Sequence, residues 1–437
     1  MQNTNIIAPE AVEGMPISPD YKLRINGADV TVYHCEVASY APVSFDGPAE
    51  IEIEALADFE EVRVRPLRHG IKPDVEGRTL RFGVDGPWKL SVEFDGDLRK
   101  PLFIFATAPE TERPDPKDET VRYFEAGKVH EAGEIRLESG QTVYIEAGAV
   151  VRGFIRGDGV ENIRVAGRGI LDASQMNHSR DQKREHVIRF VDCKNIEVEG
   201  ISIIDPPCWT LVHRGCRDSH IHDVHIVTWV MGGDGIDMVG CRDMLVENCF
   251  ARCKDDCIAI KASTYRDTYG GRNVSNITVR DSVFWNAETG NALEIGYETQ
   301  CDEMRDIVFR NCDIIHTEKE GYQSGGTLTI HNGDRADIHN VLYEDIRIED
   351  THEKLIDLKV LVARYTRDDL RGHIRDITFR NIQLVDGRFA PSIIRGHEPD
   401  NMIQNVKIEN LTAYGEKITD AIDAHMIVEL TQGLKFT

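Results

Sequence analysis

The chain has 437 residues, of which 41% are hydrophobic, and this is enough apolar material for a large core. Acidic residues outnumber basic ones by 75 to 51, and the formal net charge of -24 argues against nucleic acid or an anionic membrane as a partner. No stretch approaches the length of a membrane span, and the first residues lack the pattern of a secretory signal. We therefore expect a cytoplasmic protein, or a secreted one if a signal has been trimmed.

Residues 21 to 106 form a series of short alternating segments separated by Gly, Pro and Asp, from YKLRI to PLFIFA. The pair Asn26-Gly27 after the first segment is typical of a tight hairpin turn. This region predicts a small antiparallel β-sandwich, and the segment 108–120, rich in Pro and charge, is the best linker. We expect an N-terminal β-sandwich domain over residues 1–110 and a second domain over residues 111–437.

Beyond residue 140 the sequence repeats itself, as the aligned segments VDCKNIEVEG, RGCRDSHIHD and VGCRDMLVEN show. Each unit holds two or three short strands and no helical periodicity, so only stacking of units can bury its apolar face. The pattern predicts an all-β fold, a right-handed parallel β-helix whose coils stack at about 4.8 Å. The cysteines of these repeats are expected to be buried thiols. Matching turn positions carry Asp or Asn, at Asp223, Asn248, Asp281, Asn311, Asp345, Asn381 and Asn410.

Three aspartates fall at the starts of two neighbouring strands. Superposing GDGIDM, DDCIAI and GNALEI places Asp234, Asp256 and Asn291 in one outward column, with Asp255 beside it. Like charges this close raise one another's pKa, so one carboxyl can keep a proton while the others are ionised. Inverting glycoside hydrolysis needs this division, with an acid and a base roughly 6.5–9.5 Å apart. We expect Asp234, Asp255 and Asp256 to be catalytic.

At these residues the sequence resembles glycoside hydrolase family 28, the polygalacturonase family of right-handed parallel β-helices, in the same clan as the family 49 dextranases. The segment Asp234-Gly235-Ile236-Asp237 is similar to the family's Asn-Thr-Asp-Gly-Ile-Asp, and residues 255–261 are similar to its Gly-Asp-Asp-Cys-Ile-Ala-Ile-Lys. The resemblance covers residues 120 to 430. It implies that Asp255 is the general acid and that Asp234 and Asp256 position and deprotonate the water.

Two motifs of that family are absent. Its Gly-His-Gly aligns with Gly290-Asn291-Ala292, and its Arg-Ile-Lys, which grips a uronate carboxylate, aligns with Leu328-Thr329-Ile330. Without these cations a galacturonate carboxylate would be unpaired. The sequence therefore favours a neutral glycan, such as a dextran-type glucan, or a uronate gripped by Lys261 or Arg335.

Other residues are expected to contact the carbohydrate. Aromatic rings suit the apolar face of a pyranose, although core packing is an equal alternative for the tryptophans and the histidine at 213. The long insertions 263–273 and 316–326 are expected to wall the groove. The expected substrate contacts are Lys261, Asn291, Glu294, His331, Arg335, His213, Trp209 and Trp229.

The histidines of SHIHDVHI alternate along a strand, and a polar outer face explains that alternation. We expect no metal and no cofactor. Two alternatives remain open: a pectate-lyase-like polysaccharide lyase, which would use calcium and an Arg or Lys base, and a noncatalytic carbohydrate-binding β-helix protein. The sugar, the linkage, endo or exo action and a homo-oligomeric state are left open as well.

Overall fold

The computed structural model describes residues 5–263, 271–318 and 325–437. Strands make up nearly all of its regular structure. Within those ranges the helices are two short 3₁₀ helices, Leu67–His69 and Pro399–Asn401. None of the described helices is long and apolar enough to cross a membrane.

The N-terminal strands form two sheets that pack face to face. One sheet has the order β1-β5-β11-β10-β7 with β4 on β5, and the other has the order β3-β2-β6-β9-β8. The strands are Ile6–Ile7 (β1), Tyr21–Ile25 (β2), Ala28–Val30 (β3), Tyr33–Cys35 (β4), Ala38–Phe45 (β5), Ala49–Ala55 (β6), Val62–Arg65 (β7), Asp74–Glu76 (β8), Thr79–Val84 (β9), Lys89–Phe94 (β10) and Leu102–Thr107 (β11).

The sandwich differs from the expected antiparallel one at β5, which was not predicted and pairs in parallel with β11. Seven of the eight β5 residues are buried, so the strand lacks the alternation of polar and apolar residues that reveals a half-exposed strand. Both of its faces are covered because the sandwich core lies on one side and the second domain on the other.

The solenoid is one sheet of 31 strands in which each strand pairs in parallel with its counterpart in the next coil, apart from a C-terminal hairpin. Its strands are Val121–Phe124 (β12), Val129–Arg136 (β13), Thr142–Ile145 (β14), Val150–Asp158 (β15), Glu161–Gly167 (β16), Ile170–Asp172 (β17), Ile188–Val191 (β18), Lys194–Glu199 (β19), Ser202–Ile204 (β20), Leu211–Arg214 (β21), Arg217–His222 (β22), His225–Val227 (β23), Ile236–Val239 (β24), Arg242–Glu247 (β25), Phe250–Cys253 (β26), Ile258–Ala262 (β27), Val274–Arg280 (β28), Val283–Asn286 (β29), Asn291–Thr299 (β30), Glu303–Arg310 (β31), Asp313–Thr317 (β32), Gly326–Asn332 (β33), Asp337–Ile348 (β34), Lys354–Val360 (β35), His373–Leu384 (β36), Ser392–Arg395 (β37), Ile403–Ala413 (β38), Glu416–Ile418 (β39), Met426–Glu429 (β40), Thr431–Gln432 (β41) and Lys435–Phe436 (β42).

The strands stack into three long faces. We call β18, β21, β24, β27, β30, β33, β35, β37 and β40 the front face, β16, β19, β22, β25, β28, β31, β34, β36 and β38 the back face, and β17, β20, β23, β26, β29 and β32 the docked face. The core runs along the inside, where Ile236, Ile258 and Leu293 lie above one another. The predicted right-handed parallel β-helix and the alignment of its coils are confirmed.

The turns between faces contain the predicted column of Asp and Asn. All seven of the predicted residues have positive φ, for example 55° at Asp223 and 51° at Asn248, a conformation that Asn and Asp tolerate better than other non-glycine residues. The Asn248 amide donates to the Asp223 carboxylate at 2.5 Å, and Asn381 donates to Asp345 at 2.8 Å. Asn and Asp alternate along most of this column, so the carboxylate of each Asp is next to an Asn amide and not next to another carboxylate.

The sandwich covers the docked face. Phe105 stacks on His225 with ring centroids 4.5 Å apart, and Phe103 packs against Phe250. Burial of these rings supplies the apolar contact, while Arg65 Nη1 pairs with Glu349 at 2.6 Å across the boundary. The ten cysteines are all buried and unbridged, as predicted, and those at 193, 216 and 241 line the core.

Candidate active site

The front face carries the aspartate column where the sequence predicts it. Asp234 lies two residues before β24, Asp256 lies two residues before β27, and Asn291 begins β30. Asn291 donates from its backbone N and from its Nδ2 to Oδ1 of Asp256, each at 2.9 Å. Its own Oδ1 accepts from Gly326 N in the following coil, so Asn291 ties three successive coils together at the column.

A buried lysine holds this column. Lys261 Nζ lies 2.8 Å from Asp234 Oδ2, 3.0 Å from Asp237 Oδ1 and 3.7 Å from Asp256 Oδ2. It also lies 4.0 Å from the centre of the Trp209 ring. The strands β24 and β27 pair in parallel in neighbouring coils, so their outward side chains lie next to one another. This pairing places one ammonium among three carboxylates. Lys261 is therefore committed to the protein's own acids.

The carboxylates outnumber this cation, and burial sets their protonation. Burial raises the pKa of Asp234 and of Asp256 well above the usual range, while Lys261 opposes the rise. Asp237 is fully buried and its pKa is raised for the same reason. Three buried acids around one lysine oppose one another's ionisation, and Lys261 counteracts that effect.

Asp255 differs from its two partners. It is only half-buried, and its Oδ2 accepts a hydrogen bond from Gly232 N at 2.9 Å. In the described part of the chain no cationic side chain lies within ion-pair distance of it, whereas Lys261 touches both Asp234 and Asp256. Asp255 is thus the carboxyl of the three that a substrate reaches most easily.

The three carboxylates are closer together than the sequence predicted. One oxygen from each of Asp234, Asp255 and Asp256 lies within 4.8 Å of the other two. The expected separation of 6.5–9.5 Å applies to carboxyl groups on opposite sides of a sugar. Here two of the acids are adjacent in the chain and the third lies one coil away, about the spacing of stacked strands.

Three carboxylates at this spacing also raise the question of a metal ion. Calcium takes six to eight oxygen ligands. At this cluster Lys261 already brings a positive charge to 2.8 Å from Asp234 and 3.7 Å from Asp256. Charge repulsion from that ammonium disfavours a second cation, so the set fits acid–base chemistry better than metal binding.

A second group of buried charges continues along the front face. Glu294 accepts from His331 Nδ1 at 3.0 Å, and His331 Nε2 faces Asp357 Oδ2 at 3.2 Å. Lys359 Nζ then pairs with Asp357 at 2.8 Å. Burial lowers the pKa of His331, but Glu294 and Asp357 outweigh it and raise the pKa to about 9. Each cation in this group is already bound to a carboxylate.

The strand pairing in the structure shows that the family's Arg-Ile-Lys motif was aligned to the wrong residues of this chain. Leu328 and Ile330 point into the core above Leu293 and Ile295, so they cannot be the gripping positions. The outward residues of this coil are Thr329 and His331. They lie one residue later in the chain than Leu328 and Ile330, to which the sequence alignment assigned the motif's Arg and Lys. His331 also lies two coils from Lys261, because the coil that carries Glu294 intervenes.

His213 was wrongly expected to contact the substrate. It is buried with no exposed surface, where its Nε2 lies 3.2 Å from Ser219 Oγ, and burial lowers its pKa to about 3. It pairs with Met238 on the inward side of the ladder. The outward residues of the same strand are Val212 and Arg214.

The two tryptophans also have protein partners. Trp209 lies by the cluster as predicted, but Lys261 lies over its ring. Trp229 follows a docked-face strand, is partly buried and packs against the hydrophobic cluster beneath the sandwich, and its expected groove contact stays a prediction. Its ring stacks on His178 at 5.8 Å.

Arg335 lies in the turn after β33 and not on the strand. Its Nη1 pairs with Asp368 at 2.8 Å and its Nε lies 3.4 Å from Asp302. These contacts do not support the expected grip on a uronate. The expected groove walls at 263–273 and 316–326 fall largely on residues outside the described ranges.

Two residues of the site were not recognised from the sequence. Asp237 binds Lys261, and its polar side chain between Ile236 and Met238 was a usable signal, because alternation sends it outward. Tyr365 lies on the segment after β35, where the charge of Asp255 reaches it; burial, and to a lesser degree that charge, raises its pKa. No local pattern could have placed Tyr365 there.

Comparison with known proteins gives the family. The sequence model of glycosyl hydrolases family 28 matches residues 114–384, more than half of the chain. This chain belongs to that family. The probable exopolygalacturonase B of Aspergillus terreus is 24% identical over 250 residues, which cover 51% of this chain and 54% of the relative. The corresponding protein of Aspergillus flavus is 24% identical over 58% of this chain and 61% of its own. The chain thus spans less than two thirds of these relatives.

Solved structures support the fold along the whole chain. Dex49A from Penicillium minioluteum superposes with a TM-score of 0.65 at 14% identity, covering 98% of this chain and 96% of its own. The family 28 exopolygalacturonase from Yersinia enterocolitica superposes with a TM-score of 0.51 at 12% identity, covering 98% and 99%. At such identities the likeness concerns the fold. It includes the sandwich as well as the solenoid.

Proposed function

We propose that this family 28 protein hydrolyses the glycosidic bonds of a neutral oligosaccharide or polysaccharide with inversion of configuration. The observation that carries the proposal is the cluster of Asp234, Asp255 and Asp256, in which Lys261 contacts two members, while the third forms no ion pair with any described residue. A noncatalytic solenoid has no reason to maintain such crowded acids.

Asp255 is the proposed acid. It is the most accessible of the three carboxyls, and within the described ranges no cationic side chain forms an ion pair with it, whereas Lys261 lies close to the other two. A general acid must reach the leaving oxygen and must carry a proton when it does. Asp255 meets the first requirement by position, because it is the least buried of the three carboxyls.

Asp234 and Asp256 are the proposed bases. Lys261 stabilises the ionised form of both, and two hydrogen bonds from Asn291 do the same for Asp256. Oδ1 of Asp234 is buried and has no hydrogen-bond partner among the residues that the structure describes, so it is available to accept a proton from water. A water held by these two carboxylates attacks the anomeric carbon from the side opposite the leaving group.

The short separation of the carboxylates makes stereochemistry a decisive test. Carboxyl groups about 5–5.5 Å apart are typical of retaining enzymes, in which one acts as a nucleophile. Here the acids that would attack are buried and bound to Lys261, so attack by water is the better account. Proton NMR of the first-formed product should show the inverted anomer, and a retained anomer would establish a covalent intermediate instead.

The charges favour a neutral sugar. Lys261, His331 and Lys359 are each bound by carboxylates of the protein. A uronate carboxylate placed over these positions would meet Glu294 and Asp357 and would be repelled.

The substrate class is tested by a matched panel of neutral glucan oligosaccharides and oligogalacturonides, with wild type and Asp255→Asn side by side. We expect reducing ends to appear from a neutral oligosaccharide with wild type and to be nearly absent with the variant. Hydrolysis of oligogalacturonides alone would overturn the substrate class and keep the hydrolase. An unsaturated, ultraviolet-absorbing product would identify a lyase.

A further inference from the structure

The back face carries a patch of histidine and glutamate that the catalytic mechanism does not use. In β22 His220 and His222 alternate outward, and the preceding coil places Glu197 directly under His220 and Glu199 directly under His222. The patch borders an open polar trough on the back face, of which Glu197 and His220 are lining residues. The third histidine of the sequence motif, His225, belongs to the next strand and is buried.

The side chains of this patch already approach one another as metal ligands do. One ligand atom from each of Glu197, His220 and His222 lies within 4.8 Å of the other two. His222 Nε2 lies 3.5 Å from Glu197 Oε1 and 3.7 Å from Glu199 Oε2. Neighbouring ligands of a tetrahedral zinc ion, with bonds of about 2.0–2.1 Å, are about 3.4 Å apart. The two distances from His222 are close to that edge length, whereas His220 lies within the wider limit of 4.8 Å and its Nε2 binds Glu247 Oε1 at 2.8 Å, which leaves Nδ1 for a metal.

The surroundings orient these ligands. Nδ1 of His222 lies 3.2 Å from Asp223, outside the patch, so its Nε2 faces the two glutamates. Histidine ligands of zinc commonly bind a carboxylate through their other nitrogen. Asp223 is in turn fixed by Lys89 of the sandwich at 3.0 Å.

An arginine leaves one oxygen of each glutamate available. Arg164 pairs with Oε2 of Glu197 at 2.6 Å and with Oε1 of Glu199 at 2.5 Å. The oxygens that face His222 are Oε1 of Glu197 and Oε2 of Glu199. Arg164 thus holds both carboxylates in place by the oxygens that a metal would not need.

We propose that Glu197, Glu199, His220 and His222 form a binding site for a divalent transition-metal ion, for which zinc is the best fit, on the back face of the solenoid. Two imidazoles and two carboxylates are ligands that zinc accepts in tetrahedral sites. The site is separate from the front-face aspartates. Bound zinc would link the coils of β19 and β22 and stabilise the solenoid without entering the glycosidase reaction.

The test is calorimetric titration of the metal-free full chain with zinc chloride. We expect one tightly bound ion per wild-type chain, and at least a hundredfold weaker binding by the double variant His220→Gln, His222→Gln. The matched control is His339→Gln, because His339 also lies outward on the back face and pairs with a glutamate, but has no second histidine beside it. The control should bind zinc as the wild type does.

Two results would overturn the proposal: no zinc binding by wild type, or equal binding by wild type and the double variant. Thermal unfolding should show that zinc raises the midpoint of wild type and of the control but not that of the double variant. Should the double variant not fold, X-ray absorption of zinc-loaded wild type decides. Two imidazole nitrogens at about 2.0–2.1 Å are expected, and a spectrum without imidazole ligands contradicts the site.

Discussion

Replacement of Lys261 by methionine tests the electrostatics of the proposed site. Methionine keeps most of the side-chain volume and the contact with Trp209, but removes the ammonium. The Lys261 side chain is 5% exposed, and those of Asp234 and Asp237 are 3% and 0% exposed. Solvent therefore cannot replace the lost cation, and two buried carboxylates would be left without compensation.

Removing one partner of a buried ion pair typically costs about 3–5 kcal/mol. Some of this cost should appear as a lower free energy of unfolding. The remaining cost is relieved when the carboxylates bind protons. Lys261 lowers the pKa of Asp234, so loss of the lysine lets that pKa rise. A protonated base cannot activate water, so kcat/KM at neutral pH should fall by about 10²–10⁴-fold. The acid limb of the pH–rate profile should move to higher pH.

The assay is kcat/KM as a function of pH, together with urea unfolding. The matched control is Lys359→Met, which removes a similarly buried lysine from a single carboxylate partner farther along the front face. The control should lose stability but keep the acid limb where wild type has it. If Lys261→Met leaves that limb in place in a folded enzyme, Lys261 does not hold the bases ionised and the assignment of Asp234 is wrong.

Three further outcomes are expected. Carboxylate partners raise the pKa of His316 and His331 to about 9 against burial, so their stabilisation is complete below the unfolded pKa of about 6.5 and is lost as the pH rises towards 9. Urea unfolding should show a loss of up to about 3 kcal/mol for each histidine over that window, and a flat profile would contradict this. Asn291→Ala removes a hydrogen bond to Asp256, so kcat should fall by about tenfold or more with KM little changed, whereas unchanged kcat would separate Asn291 from the reaction. Chelator treatment should leave the hydrolase rate unchanged, because Lys261 occupies the cation position of the aspartates; a loss that calcium restores would favour a lyase.

The sequence predicted the solenoid because its determinants are local and repeated. Inward Ile236, Ile258 and Leu293 alternate with polar residues, and this period of two sets the register of each coil on the next. The aspartate column followed from the same register. The alternation was informative wherever one side of a strand is polar.

The sequence predictions fail where the alternation of polar and apolar residues is weak or absent. In β21 both Leu211 and Val212 are apolar, so the sequence does not show which side His213 faces. In β33 the alignment of the missing Arg-Ile-Lys motif slipped by one residue, so the inward Leu328 and Ile330 were assigned to positions that the outward Thr329 and His331 occupy. Tyr365 reaches the site from a connecting segment, and such approaches depend on tertiary packing that no repeat encodes.

The central claim is the division of labour between Asp255 and the two bases, and the most direct measurement compares Asp255→Asn with wild type on two substrates of the same sugar. On the natural oligosaccharide kcat/KM should fall by several orders of magnitude, because the leaving alkoxide goes unprotonated. On an aryl glycoside, whose phenolate leaves without help, the loss should be far smaller. Asp234→Asn and Asp256→Asn should slow both substrates alike. Equal impairment of Asp255→Asn on both substrates would contradict the assignment of Asp255 as the acid.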